Sequence, residues 1–138
     1  MSAYRTGMPK IRGRRRARRI AAHALGATLA FAGTAHLTFA REEFQAQVPS
    51  WVPLDADDVV LPSGAAEIAL GAGLLALPRQ RRRLGVLTAA FFAAVFPGNI
   101  AQYRNRVDAF GLDTDRKRAV RLAGQPLLVA WALWSTRD

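Results

Sequence analysis

Between Ile20 and Ala40 the chain runs twenty-one residues without Asp, Glu, Lys or Arg (IAAHALGATLAFAGTAHLTFA). A helix rises about 1.5 Å per residue, so about twenty apolar residues cross a bilayer core about 30 Å thick. A block of this length fits a crossing and exceeds most buried helices of soluble domains. Three further apolar blocks follow, at 59–78, 84–103 and 119–134. The mean hydropathy is only +0.04 because these blocks are averaged with charged connections. The pattern predicts an all-α integral membrane protein, a four-helix bundle whose transmembrane domain is 20–138. The fourth block is the least typical span, being short and carrying Arg121, Gln125 and Pro126. Arg121 lies near its end, where a long cationic side chain can reach the interface.

A secretory signal peptide is the rival reading of the first block, with a basic segment before it and Thr38-Phe39-Ala40 as a cleavage site. The stretch is long for such a signal and more apolar blocks follow, so the crossing is preferred.

The charge pattern sets an orientation. The formal net charge is +10, and residues 1–19, read as a disordered basic tail, hold the run RGRRRARR from Arg12 to Arg19. Lys and Arg favour the cytoplasmic side of a membrane. The N-terminal segment, the Arg79–Arg83 turn and the C-terminus hold thirteen of the twenty Lys and Arg. Glu42, Glu43, Asp55, Asp57, Asp58, Asp108, Asp113 and Asp115 all fall in the connections at 41–58 and 104–118. Both termini are therefore expected inside and these two connections outside. The basic tail reads as a topology signal in contact with anionic lipid rather than as a nucleic-acid site. It has no interleaved aromatic residues and joins a span directly. There is no cysteine, which excludes disulfides, thiol redox chemistry and Cys-ligated zinc or iron–sulfur clusters. Two histidines without a local acidic cluster give no expectation of a metal site.

Polar groups inside apolar blocks are costly and need a reason. His36, Glu67, Asn99 and Gln125 supply one for each block in turn. Counting helical rise, His36 and Asn99 lie about 6 Å from the outer ends of their blocks, Gln125 about 9 Å and Glu67 about 12 Å. All four fall in the outer half, which predicts a shared polar pocket opening toward the outer face. Arg121 shares a helical face with Gln125, and Ser63 precedes Glu67 by one turn. A Glu–His pair of this kind can relay protons or bind a quinone head group through its carbonyl oxygens, and the amides can hold a ligand by hydrogen bonds. The competing reading is that these groups satisfy one another and hold the helices together, with Asn99 bonding a carbonyl freed by Pro97. Pro97-Gly98 is expected to kink or break the third helix.

Four stretches, in order, resemble the DoxX-like family of small bacterial membrane proteins. They are AGTAHLTFAREEFQAQVPSWVP (32–53), LPSGAAEIALGAGLL (61–75), FPGNI (96–100) and RLAGQPLLVAWAL (121–133). The matching positions are His36, Pro49, Pro53, Ser63, Gly64, Glu67, Gly71, Pro97, Asn99, Arg121 and Gln125. Leu37 stands where that family usually has an aromatic residue, Gly98 where it commonly has alanine, and the basic N-terminal segment is atypical. The resemblance implies a multi-pass protein of a bacterial inner membrane, four helices, and association with quinol-linked or other membrane oxidoreductases. With no cysteine and a single in-span histidine on the outer side, no cofactor is evident beyond a quinone, and no catalytic residues can be named, so the chain is not read as an enzyme on its own. The candidate ligand-binding set is His36, Ser63, Glu67, Asn99, Arg121 and Gln125. The partners expected are the lipid bilayer, a membrane oxidoreductase or a second copy of the chain, and no nucleic acid. A non-enzymatic assembly or scaffold role is the alternative function, suggested by small size and the Gly and Ala faces.

Overall fold

The computed structural model describes residues 8–137, and within them the chain is all-helical. Four long helices, α1 (Met8–Leu37), α3 (Ala56–Ala76), α4 (Arg81–Arg104) and α5 (Asp115–Ser135), carry the fold. A short α2 (Arg41–Ala46) lies in the first connection, and a single 3-10 turn (Pro78–Gln80) joins α3 to α4. The disordered tail expected over 1–19 is helical from Met8 onward, continuous with the first apolar block; residues 1–7 lie outside the described part. Arg and Ala favour helix, and extending an existing helix avoids the cost of a new nucleus.

The other boundaries shift for local reasons. Helix α3 begins at Ala56, because extended Asp55 (φ −61°, ψ 146°) turns the chain and Asp57 and Asp58 complement the positive helix end. Pro62 therefore lies in the second turn of α3 rather than its first. Helix α4 runs through Pro97-Gly98 without a break. Helix α5 starts at the charged Asp115, where Thr114 caps it by accepting from the Lys117 amide at 3.2 Å.

Three of these helical stretches are long and apolar enough to cross a membrane, Lys10–Leu37, Ala56–Ala76 and Pro78–Arg104. Helix α5 is not among them. Asp115, Arg116, Lys117, Arg118 and Arg121 fill its first two turns. The uncharged remainder, Leu122–Ser135, extends about 21 Å.

Helix α1 packs most extensively on α3, and α4 on α5; contacts of α1 with α5 and of α3 with α4 are fewer. The α1–α3 contact is built on glycine. Gly26 and Gly33 on α1 face Gly71 and Gly64 on the antiparallel α3, both pairs spaced by seven residues. A seven-residue spacing keeps the same face toward the partner helix over two turns. A Cβ on Gly33 would lie 2.6 Å from the Gly64 carbonyl oxygen, and one on Gly71 2.5 Å from that of Gly26. The two backbones touch, which only glycine allows. At the end nearest the 3-10 turn, Leu25, Leu29, Leu74, Ala89, Phe92 and Ala132 form the buried core. There the Trp131 indole donates to the Ala21 carbonyl at 3.0 Å, tying α5 to α1.

Gly71→Ala should destabilise the protein by about 1–3 kcal/mol, because a backbone contact must open. Gly124→Ala, which meets nothing within 4 Å, should leave stability unchanged or raise it by up to about 1 kcal/mol. Thermal unfolding of both variants in mild detergent checks this, and equal melting temperatures would contradict the packing described.

Candidate functional site

At the opposite end the two helix pairs separate around a cavity of about 470 Å³. His36, Ser63, Glu67, Asn99, Arg121 and Gln125 all line it. Its floor is apolar, made by Leu25, Leu29, Phe91, Phe92 and Leu128. It does not open straight out past the helix ends, because α2 and the segment that follows it contribute Phe44, Gln47, Val48, Pro49, Trp51 and Val52 to its walls.

Glycine packing places the acid–base pair. A Cβ on Gly64 would lie 2.7 Å from the His36 Cβ, so α3 comes hard against α1 at His36. Glu67, one turn further along α3, then lies against the His36 ring, with Oε2 2.7 Å from Nδ1. His36 and Glu67 are both buried, each 7 % exposed. The two side chains are in close contact without a hydrogen bond between them. Nδ1 also lies 2.9 Å from the Ala32 carbonyl oxygen, which can only accept, so the ring hydrogen sits on Nδ1 and points there. Glu67 Oε2 consequently has no hydrogen-bond partner among the described residues.

The remaining groups divide into satisfied and unsatisfied. Gln125 donates to the Phe92 carbonyl at 2.7 Å, in the turn of α4 that precedes Pro97, and so clamps α5 to α4. Ser63 donates to the Val60 carbonyl at 2.9 Å. Asn99, 4 % exposed, leaves its Nδ2 without a partner and does not bond a carbonyl near Pro97. Arg121 is half-buried, interacts electrostatically with Glu67, and makes no hydrogen bond or ion pair among the described residues. The cavity is therefore lined by a carboxyl and an amide that each bury one atom without a hydrogen bond among the described residues, and by the Arg121 cation. Among the described residues no three His, Cys, Asp or Glu side chains cluster to hold a metal ion.

The cover over the cavity is fastened at several points that the sequence did not reveal. The Phe44 ring stacks on His36 with centroids 3.3 Å apart, and Phe110 meets Phe44 edge-on at 4.7 Å. Sequence alone suggested Phe44 and Trp51 as interface residues; both line the cavity, and only Trp51 is largely exposed. Arg41 donates to Asp57 through Nε at 3.0 Å and Nη2 at 2.7 Å, and Gln45 donates to the same carboxylate. That hydrogen-bonded carboxylate holds the Arg41 guanidinium above its ordinary pKa. Gln47 donates to Gln102 at 2.6 Å, and Gln102 in turn reaches the Val107 and Ala109 carbonyls at 3.4 and 3.3 Å. Gly98 fits here: a Cβ would come 3.1 Å from the Gln47 carbonyl oxygen.

The second connection is equally fixed. Arg118, 5 % exposed, donates to Val107 O at 3.1 Å and to Asp115 at 2.9 Å, and also pairs with Asp108. Phe110 takes a left-handed backbone, φ 56°, at a cost of about 1–2 kcal/mol. Its contact with Phe44 is part of what holds it there. The spacing of Arg118 one turn before Arg121 was the one available sign that it faces inward.

Residues 25–136 match a family described as a domain of unknown function (DUF8561), and the chain belongs to that family. No curated protein and no solved structure matches it.

Asn99 and Gln125 should respond oppositely to removal of their amides. Gln125→Leu removes the bond to the Phe92 carbonyl that ties α5 to α4 and should cost about 0.5–1.5 kcal/mol. Asn99→Leu removes an unpaired buried donor and should leave stability unchanged or raised. Melting temperatures in detergent decide, and a large loss for Asn99→Leu would show that its amide has a structural partner.

Proposed function

We propose that this protein is a multi-pass protein of a bacterial inner membrane, a four-helix bundle with both termini cytoplasmic. We read it as an accessory subunit associated with a membrane oxidoreductase, its outer-leaflet cavity taking a quinone-type head group. The observation that carries this reading is that Glu67 Oε2 and Asn99 Nδ2 are buried without a hydrogen bond among the described residues, in the walls of an otherwise largely apolar cavity. Burying a polar atom without a partner costs about 1–3 kcal/mol, and a ligand in the cavity would remove that cost. The cavity volume falls within the range of small-molecule sites, and a few polar groups over an apolar floor suit an oxygenated ring with a hydrocarbon tail. The resemblance to DoxX-like proteins supports the redox association, because its positions in the four helices include all six candidate residues.

A fourth crossing by α5 is supported by its outward face, where Val120, Leu127 and Trp134 are exposed. An apolar exposed surface is stable against lipid and unfavourable against water. Arg116 and Lys117 then lie at the outer interface and Arg121 turns into the cavity.

The chain has no cysteine, so single substitutions report topology cleanly. Cysteine at Ser50 should be labelled from outside intact spheroplasts by an impermeant maleimide, and cysteine at Arg82 only after lysis. The reverse pattern would invert the orientation. Purified protein in nanodiscs should also quench on adding a decyl-substituted benzoquinone or its hydroquinone, since Trp51 lines the cavity. Glu67→Gln should abolish the chain's contribution to redox-stress tolerance in cells. No binding of either ring form, together with unchanged tolerance, removes the basis of this reading.

A further inference from the structure

The unsatisfied groups are not equivalent, and their difference bears on which redox form of a ring the cavity holds. Building on the quinone-type reading of the site, we propose that the cavity selects the reduced, hydroxylated form, a hydroquinone or related phenol, over the oxidised diketone.

Glu67 is the discriminating residue. As a carboxylate it can only accept hydrogen bonds, and its Oε2 is buried with none. The nearest hydrogen, on His36 Nδ1, is directed to the Ala32 carbonyl 2.9 Å away. Phe44 stacked on the His36 ring, with planes 16° apart, keeps it in that orientation. Ser63 spends its own hydrogen on Val60 O, and Gln125 directs its Nε2 to Phe92 O. Apart from the Arg121 guanidinium, which makes no hydrogen bond among the described residues, these neighbours have no hydrogen to spare, so a ligand hydroxyl is the further donor open to Glu67.

A diketone brings none. Its two oxygens suit Asn99 Nδ2 and Arg121, but an oxygen turned toward Glu67 sets lone pair against lone pair. A hydroquinone donates one O–H to Glu67, and its other oxygen accepts from Asn99 or Arg121. The ring and any tail then rest on Leu25, Leu29, Phe91, Phe92 and Leu128, which offer no competing polar contact. A site built around a hydrogen bond to a ligand hydroxyl rejects the analogue lacking it, because the buried partner stays unpaired. The proposal concerns binding alone and assigns no electron transfer to this chain.

The test compares a decyl-substituted benzoquinone with its hydroquinone, kept reduced under anaerobic conditions, on the full chain in nanodiscs. The hydroquinone should bind at least about tenfold more tightly. Glu67→Gln offers an amide donor as well as an acceptor, and should bring the two affinities within about threefold. Asn99→Ala should weaken both forms and leave their ratio in place. If the Glu67 variant fails to fold, the wild-type ratio decides alone. Equal affinities, tighter binding of the diketone, or a preference that survives in Glu67→Gln overturns the selectivity and leaves the quinone-type reading standing. Binding of neither form removes that reading and this inference together.

Discussion

The site depends on the bare backbone contact between α1 and α3. Two helices joined through larger side chains stand 8–10 Å apart, roughly, with their polar groups separated by the intervening layer. Here the Gly26–Gly71 and Gly33–Gly64 contacts leave no such layer. Side chains flanking the contact are forced together, and His36 and Glu67 are the flanking pair. Glycine weakens an isolated helix by about 1 kcal/mol per residue. Four of them on facing surfaces are tolerable because the close approach gives dispersion contacts along the whole seam.

The rest of the molecule divides along its length. Toward the 3-10 turn, leucine, alanine and Phe92 close the space between the two helix pairs. Toward the longer connections the pairs part, and polar side chains occupy the walls. Stability and site chemistry thus sit at opposite ends. The packed end keeps the helices registered, while the parted end tolerates unpaired groups that a close-packed core would not. Gln125 belongs to both, since it lines the cavity while clamping α5 onto α4.

Much of this was legible from residue types and spacing. The apolar blocks gave the helices, and the depth of four polar residues, with Arg121 and Ser63 added by helical face, grouped side chains that line one cavity. What escaped was non-local or a balance of small terms. The helical state of residues 8–19 turns on propagation from a neighbouring helix, which composition does not express. The continuity of α4 through Pro97 turns on packing against α5. The cover formed by Phe44, Gln47 and Gln102 joins residues 55 positions apart, and no local pattern announces such a pairing. Asn99 misled most: a proline two residues earlier suggested a local carbonyl partner, and the amide instead has none.

The unbroken course of α1 has a mechanical consequence. Its thirty residues make a rod about 45 Å long, basic at one end and bearing His36 at the other. An α-helix with a continuous hydrogen-bond ladder transmits tilt and axial displacement along its length. The glycine seam lies between those two ends and fixes the rod against α3, so the imidazole's place beside Glu67 and the position of the arginine-rich end are set by one rigid element.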